Sequence, residues 1–397
     1  MRKSKKLCEQ YCTGCGLCHS LYDVHMCMND AGFLMPQIAK DDDKTVQKLE
    51  RICPVFGKQC VDMDSQHIWG RRKGVYSAYS SDEDVRYHAS SGGVLTQICC
   101  YLLENNMVNG IIHIGRDPLD PIGSKTFCSR TVDEVKDHCG SRYMSSSPLY
   151  DIKGFFKDRE KYALVGKPCD IAAVRNWMRD EPEIEDKIVL LLSFFCAGAP
   201  SRNVNRKLLD NMQCKYELCT DLNYRGNGWP GYATAVDRNG HKYTMKYQDA
   251  WGRILGRDIR KICRFCLDGV GEMADISCGD LWYMKENRLP SFDEREGRNI
   301  VFCRTEKGQA IFDSVIQSGE VCIEDYPECE NDLQFVQKHQ YYKKATMKSS
   351  IDAMRFFGKP IPMYNRKLMK KLAGNTDIKN QFDKFKGTIK RILQGTI

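Results

Sequence analysis

The sequence predicts a mixed α/β (α+β) fold, with a small cysteine-rich segment in front and a basic helical tail behind. Three observations lead there. Strand-like and helix-like runs alternate between residues 73 and 282. Seven of the 21 cysteines fall within the first 60 residues. Residues 337–397 carry 15 Lys and Arg against three Asp, so the whole formal charge of +8 resides in that tail.

The 397 residues are 42% hydrophobic and 28% charged, an ordinary globular composition with room for two or three domains. That excludes a disordered chain, a collagen and a coiled coil. The boundaries are expected near 1–65, 70–155, 156–330 and 337–397. The longest apolar stretch, 188–200 (IVLLLSFFCAGAP), falls short of the roughly 20 residues a membrane span needs. The start, MRKSKKLCEQYCTGC, has no apolar core of a secretory signal. A cytoplasmic protein is expected.

In a reducing compartment an odd count of cysteines argues against a disulfide scaffold and for metal ligation. Cys12-Thr-Gly-Cys15-Gly-Leu-Cys18 is the tightest run. Three thiolates spaced two apart wrap one corner of a cubane, and the glycines let the backbone approach its sulfides; this is the ferredoxin spacing of a [4Fe–4S] site. Ferredoxins also place a Cys before Pro, and Cys53-Pro54 supplies one; Cys27 is the alternative fourth ligand, with Cys8 and Cys60 as plain thiols. Zinc is the rival, but it favours two CxxC pairs. A second set is dispersed: Cys263-Arg-Phe-Cys266, Cys169 and Cys196, with Cys278 competing for the fourth place. Cys169 and Cys196 each sit where a buried strand meets a Gly/Pro turn, which suits a ligand and equally a buried structural thiol.

Along the chain, residues 1–65 show little periodicity and are expected to be held by metal more than by a core. Asp41 to Asp43 marks a loop. Residues 73–79 read as a strand. Ser90-Ser91-Gly92-Gly93 then precedes an apolar helix over 94–105 and a strand over 108–115. Such a turn at a helix start offers hydroxyls, N–H groups and the positive helix end to a phosphate; it is also an ordinary N-cap. Neither a GxGxxG nor a Walker sequence is present. Strand, helix and strand follow at 162–165, 170–178 and 188–195. Residues 224–231 are a Gly/Pro loop, and 232–247 a hairpin about Asn239-Gly240. Residues 275–282 form a strand whose Asp275 and Asp280 either bind hydroxyls or close turns. In the tail, 363–372 and 382–393 have helical apolar spacing. It either packs as a helix pair or meets an acidic partner or an anionic membrane surface. No nucleic-acid reader motif is visible, so no nucleic acid is expected.

These segments together resemble the coenzyme F420 hydrogenase/dehydrogenase beta-subunit family. The resemblance runs from Cys12 to Gly308 and rests on ordered motifs. They are the Cys12–Cys18 run, Ser90-Ser-Gly-Gly-Val94, Gly140-Ser-Arg-Tyr143, Gly166-Lys-Pro-Cys-Asp170 and Phe195-Cys-Ala-Gly198. Arg225-Gly-Asn-Gly-Trp-Pro-Gly231, Cys263-Arg-Phe-Cys266 and Ala274-Asp-Ile-Ser-Cys-Gly-Asp280 complete the series. The resemblance implies an iron–sulfur flavoprotein with two [4Fe–4S] clusters and FAD. It implies FAD contacts at Ser90, Ser91, Gly92, Gly93, Gly140, Ser141, Tyr143 and Lys167. One cluster is expected on Cys12, Cys15, Cys18 and Cys53, the other on Cys169, Cys196, Cys263 and Cys266, with Cys278 still open. FAD would occupy 70–155 and the second cluster 156–330.

Some members carry two complete ferredoxin motifs; this chain has one, so two clusters are expected rather than three. No hydrogenase-type nickel motif is present. The implied activity is electron exchange between a ferredoxin-like donor or redox partner subunit, the clusters, FAD and a small molecule, coenzyme F420 or another. An electron-transfer subunit without its own substrate is the alternative. Trp229, Trp251, Trp282 and Gly231 could wall the substrate side, or fill core and turn. His88 is a candidate proton donor, or else a helix-start or phosphate contact.

Overall fold

The computed structural model describes residues 2–39, 42–56 and 67–397. Asp41 and Cys60 lie outside the described residues. An eight-stranded mixed sheet forms the centre. Its order is Val321–Glu324, Gly74–Ser80, Asn299–Cys303, Ile276–Asp280, Ile188–Phe194, Tyr162–Gly166, Gly110–Asp117 and Asp120–Ser129. The four strands from Ile276–Asp280 to Gly110–Asp117 run parallel, and antiparallel strands close both sides. The near-continuous apolar run of Ile188–Phe194 fits this position, because a central parallel strand is covered on both faces. Successive side chains go to opposite cores: Leu164 and Leu191 to one, Ala163 and Leu190 to the other.

Helices Val94–Glu104 and Glu306–Gln317 cover one face. Helix Pro168–Asp180 covers the other through Ile171, Val174 and Trp177. Pro168 takes the first helical position, where its missing N–H costs nothing, and Asp170 accepts from the Lys167 amide at 2.9 Å. A smaller three-stranded sheet, Cys219–Asn223, Tyr232–Asp237 and Lys242–Lys246, forms a third core with helix Arg202–Asn211. The hairpin stands where Asn239-Gly240 predicts it, with Gly240 at φ +80° and Asp237 accepting from the amides of Asn239 and His241.

The N-terminal segment departs from expectation. It joins the main apolar core through helices Arg2–Tyr11 and Asp43–Ile52. Leu7, Tyr11, Leu49 and Ile52 are buried in the same core as Trp177. Val46, Leu49 and Ile52 share one helix face at spacing three, a period masked in the sequence by the charged residues between them. The acidic run read as a loop starts this helix, with Asp42 accepting from the Thr45 amide at 3.0 Å.

The tail packs as helices. Lys338–Ala345, Met347–Phe356, Arg366–Ala373 and Ile378–Leu393 bury Ala345, Ile351, Met354 and Leu372 in the main core. Ile378, Phe382 and Leu393 stay exposed on the last helix. Among the described residues no helix is long and apolar enough to cross a membrane.

Candidate cofactor cavity and thiol groups

The parallel strands open at their carboxyl ends onto a cavity of about 310 Å³. Open α/β sheets bind ligands in this position. Val165, Gly166, Phe194, Cys278 and Gly279 form its floor. The cavity gathers Ser90, Ser91, Gly93, Gly140, Ser141, Tyr143 and Lys167 from three distant segments. Gly92 lies behind this wall: a Cβ there would stand 2.8 Å from the Arg298 Cα. Gly93 turns the chain into helix Val94–Glu104 at φ +77°, a conformation glycine adopts without strain. The Ser90 and Ser91 hydroxyls donate to the carbonyls of Arg225 and Arg298, at 3.2 and 3.0 Å.

Lys167 is held between Asp170, at 2.8 Å, and the Ser146 hydroxyl, at 3.3 Å. Burial opposes its charge, but Asp170 and the Cys169 and Cys196 thiols hold its pKa above the ordinary range. Arg142 donates to the carbonyls of Leu222 and Gly123, with its guanidinium over the Tyr224 ring. Arg225 grips Asp280 with two bonds and lies 4.1 Å from the Tyr247 ring centroid. Trp251 and Trp282 line the cavity, whereas Trp229 stacks behind Trp282 at 4.5 Å. His88 is exposed at the end of a helix and takes no part in the lining. Asp275 is consumed structurally by Arg175, Thr305 and the Leu191 amide.

Four buried polar atoms on lining residues have no hydrogen-bond partner: Asp170 Oδ1, Arg142 Nε, His138 Nδ1 and Gln340 Oε1. Native proteins leave few such groups unmatched; all four are closed to solvent, and His138 Nδ1 and Gln340 Oε1 lie against Gly115 and Gly269. Gln340 carries no signal in the sequence, being far from any motif, and His138 stands just before the Gly140–Tyr143 motif without belonging to it.

Cys12, Cys15, Cys18 and Cys53 line one separate cavity, joined there by Cys8. Helix Arg2–Tyr11 brings Cys8, and Cys53 ends helix Asp43–Ile52. Contact with Cys8, then burial, pushes the Cys53 thiol up; burial pushes Cys15 up to about 12. Such thiols stay protonated until a cation replaces the proton. Cys27 sits on strand Met26–Met28, outside this lining. Gly14, at φ +80°, lets Arg260 close over the loop, where a Cβ would collide with the guanidinium. Arg260 donates to the Cys12 and Leu34 carbonyls at 3.3 and 2.8 Å. Among the described residues no group of three or more His, Cys, Asp or Glu is arranged to hold a single metal ion.

The second thiol group is also assembled. Cys169, at the first turn of Pro168–Asp180, interacts electrostatically with Cys196 and Cys266, and Cys196 and Cys266 both interact with Cys263. The Ala199 amide points at Cys263 Sγ at 3.4 Å. Asp268 shapes the following turn by accepting from the amides of Val270, Gly271 and Glu272. Cys278, although it lines the cavity at the strand ends, keeps company with Cys99 and Cys303 in the opposite core.

Fold and site define a class: an α/β protein whose parallel strands open on a cavity at their carboxyl ends, with two groups of thiols beside it. The chain belongs to the coenzyme F420 hydrogenase/dehydrogenase beta-subunit family. Residues 75–152 match the N-terminal region of that family's beta subunit, and residues 159–328 match its C-terminal region. The chain is 24% identical over 302 residues to the coenzyme F420 hydrogenase subunit beta of Methanococcus voltae, covering 74% of this chain and 99% of that one. It is 24% identical over 314 residues to the chloroplastic 7-hydroxymethyl chlorophyll a reductase of Oryza sativa, covering 77% and 61% respectively. A chain of the F420-reducing [NiFe] hydrogenase complex from Methanosarcina barkeri shares the fold, with a TM-score of 0.58 and 21% identity over 76% of this chain and 98% of that one. The relatives are redox enzymes or subunits of them.

Proposed function

We propose that this protein is a cytoplasmic iron–sulfur flavoprotein oxidoreductase holding two [4Fe–4S] clusters and one FAD. The observation that carries the reading is that Cys196 lines the same cavity as Ser90, Ser91, Gly93 and Gly140–Tyr143, so one thiol group adjoins the flavin space. The donor sets fit: Cys12, Cys15, Cys18 and Cys53 share one cavity, with Cys8 beside them, and Cys169, Cys196, Cys263 and Cys266 are linked by electrostatic interactions. Cys12, Cys15, Cys18 and Cys53 hold one cluster, and Cys169, Cys196, Cys263 and Cys266 the other. Ser90, Ser91, Gly93, Gly140, Ser141 and Tyr143 cradle FAD, and Gly92 permits their close approach to Arg298 and Asn299. Lys167 offers a buried positive charge to an anionic part of the cofactor. Trp251 and Trp282 shield the cavity from water.

The flavin supplies two-electron chemistry with a small molecule, coenzyme F420 or another, and the clusters supply one-electron exchange with a ferredoxin-like donor. A second reading is an electron-transfer subunit of a larger redox complex. It is favoured by the relatives themselves, several of which are named as subunits.

Iron, sulfide and flavin content after anaerobic purification tests the proposal. About eight irons and one FAD per chain are expected for two cubanes. Zinc without flavin would overturn it.

A further inference from the structure

The tail places a buried lysine beside the second thiol group. Lys343, only 6% exposed, lies on helix Lys338–Ala345 one turn from Gln340. Its neighbour Lys344 is paired with Glu272, but among the described residues Lys343 has no carboxylate partner. The charges around it are of its own sign: Lys384 and His339 both feel its repulsion, and Lys384 also feels Arg391 and Arg264. The acidic groups within its electrostatic reach are the thiols of Cys196 and Cys266: burial pushes both up, and the charge of Lys343 opposes that rise.

A buried cation without a counter-charge is costly. A cubane on four thiolates carries net negative charge and gains another on reduction. Gln340 fixes the helix on this spot: its Nε2 donates to the Cys196 carbonyl at 2.9 Å, and a Cβ on Gly269 would collide with its amide. Gly269 in turn accepts from the Cys196 amide at 2.8 Å. The Tyr364 hydroxyl donates to the Phe265 carbonyl, inside the Cys263–Cys266 turn, at 2.6 Å. All three side chains come from beyond residue 328, where the match to the family ends.

We propose that the C-terminal helices are part of the second cluster's site, with Lys343 as the positioning charge that raises its reduction potential and Gln340 as the clamp on Cys196. This rests on the two-cluster reading above. Lys343 stabilises the reduced, more negative state more than the oxidised one, because the interaction grows with the charge it faces.

The test uses the full chain, purified and titrated anaerobically with the clusters followed by electron paramagnetic resonance. Cys266→Ser, expected to lose about four irons, identifies which signal belongs to the second cluster. In Lys343→Met, iron content should hold and the second cluster's reduction equilibrium should fall about tenfold, about 59 mV for one electron. The other cluster should not move. Lys343→Arg should restore the potential, and Lys379→Met, on the exposed face of the last helix, should change nothing. Full iron with an unmoved potential in Lys343→Met overturns the proposal, as does an equal shift in Lys379→Met. If Lys343→Met fails to load its cluster, Lys343→Arg decides: normal loading and potential support the role of charge, and failure there overturns it. If Cys266→Ser keeps all its iron, the two-cluster reading itself fails, an outcome distinct from an intact cluster with an unmoved potential.

Discussion

Arg225 donates to both carboxylate oxygens of Asp280, each at 2.8 Å, and so ties the Gly/Pro loop after strand Cys219–Asn223 to the end of strand Ile276–Asp280. The Trp229 indole adds a third bond to the same carboxylate, at 3.0 Å. Burial works against the guanidinium charge and Asp280 more than offsets it, so the pair stands or falls together.

Removing one partner leaves a buried charge uncompensated, at a cost of about 3–5 kcal/mol. Asp280→Ala is therefore expected to lower the thermal midpoint and the flavin-to-protein ratio together. The ratio is read from absorbance after denaturation. An unchanged ratio would remove the Arg225–Asp280 wall from the flavin site.

Cys53 and Cys27 make opposite predictions. Cys53 shares a cavity with Cys12, Cys15 and Cys18; Cys27 is paired on a strand with Met35. Cys53→Ser should lose about half of the iron, if one of two cubanes is lost, and Cys27→Ser none. Loss of iron in Cys27→Ser alone would reassign the fourth ligand.

His113 gives a pH dependence. Burial pushes its pKa down to about 4, while Nε2 meets the Ser129 hydroxyl at 2.7 Å. Between about 6.5 and 4 the unfolded chain binds a proton there that the folded chain refuses, so stability falls as pH drops and levels off below 4. From pH 7 to 5 the loss from this group is about 2 kcal/mol. Urea unfolding of the wild type and His113→Asn should show their stability difference narrowing by that amount. A gap independent of pH would exclude His113 as the cause.

The parts legible in the sequence are those with local causes. The run Ile188–Phe194, the Asn239-Gly240 turn and the helix after Gly93 each follow from residues adjacent to one another. Cys12, Cys15 and Cys18 belong together for the same reason. The choice between Cys169 and Cys278 has no local cause. A strand covered on both faces shows no alternation, so nothing in Ile276–Asp280 reveals that Cys278 faces Cys99 and Cys303. Cys8 reads as a plain thiol in sequence, yet its helix delivers it to the cavity of the first group. The tail's charge suggests a surface for partners as readily as a packed helix pair. Its Ala345, Ile351, Met354 and Leu372 are core residues, so deleting 337–397 uncovers the main core and does not isolate a docking function.

The Tyr11 hydroxyl donates to the carbonyl of Pro360 at 2.6 Å, across 349 positions of chain. During synthesis, Cys8 to Cys18 leave the ribosome well before helices Met347–Phe356 and Arg366–Ala373, which complete the core around them. Contacts of such sequence separation form late. The cavity of the first thiol group therefore stays open until these later helices have been made and have packed.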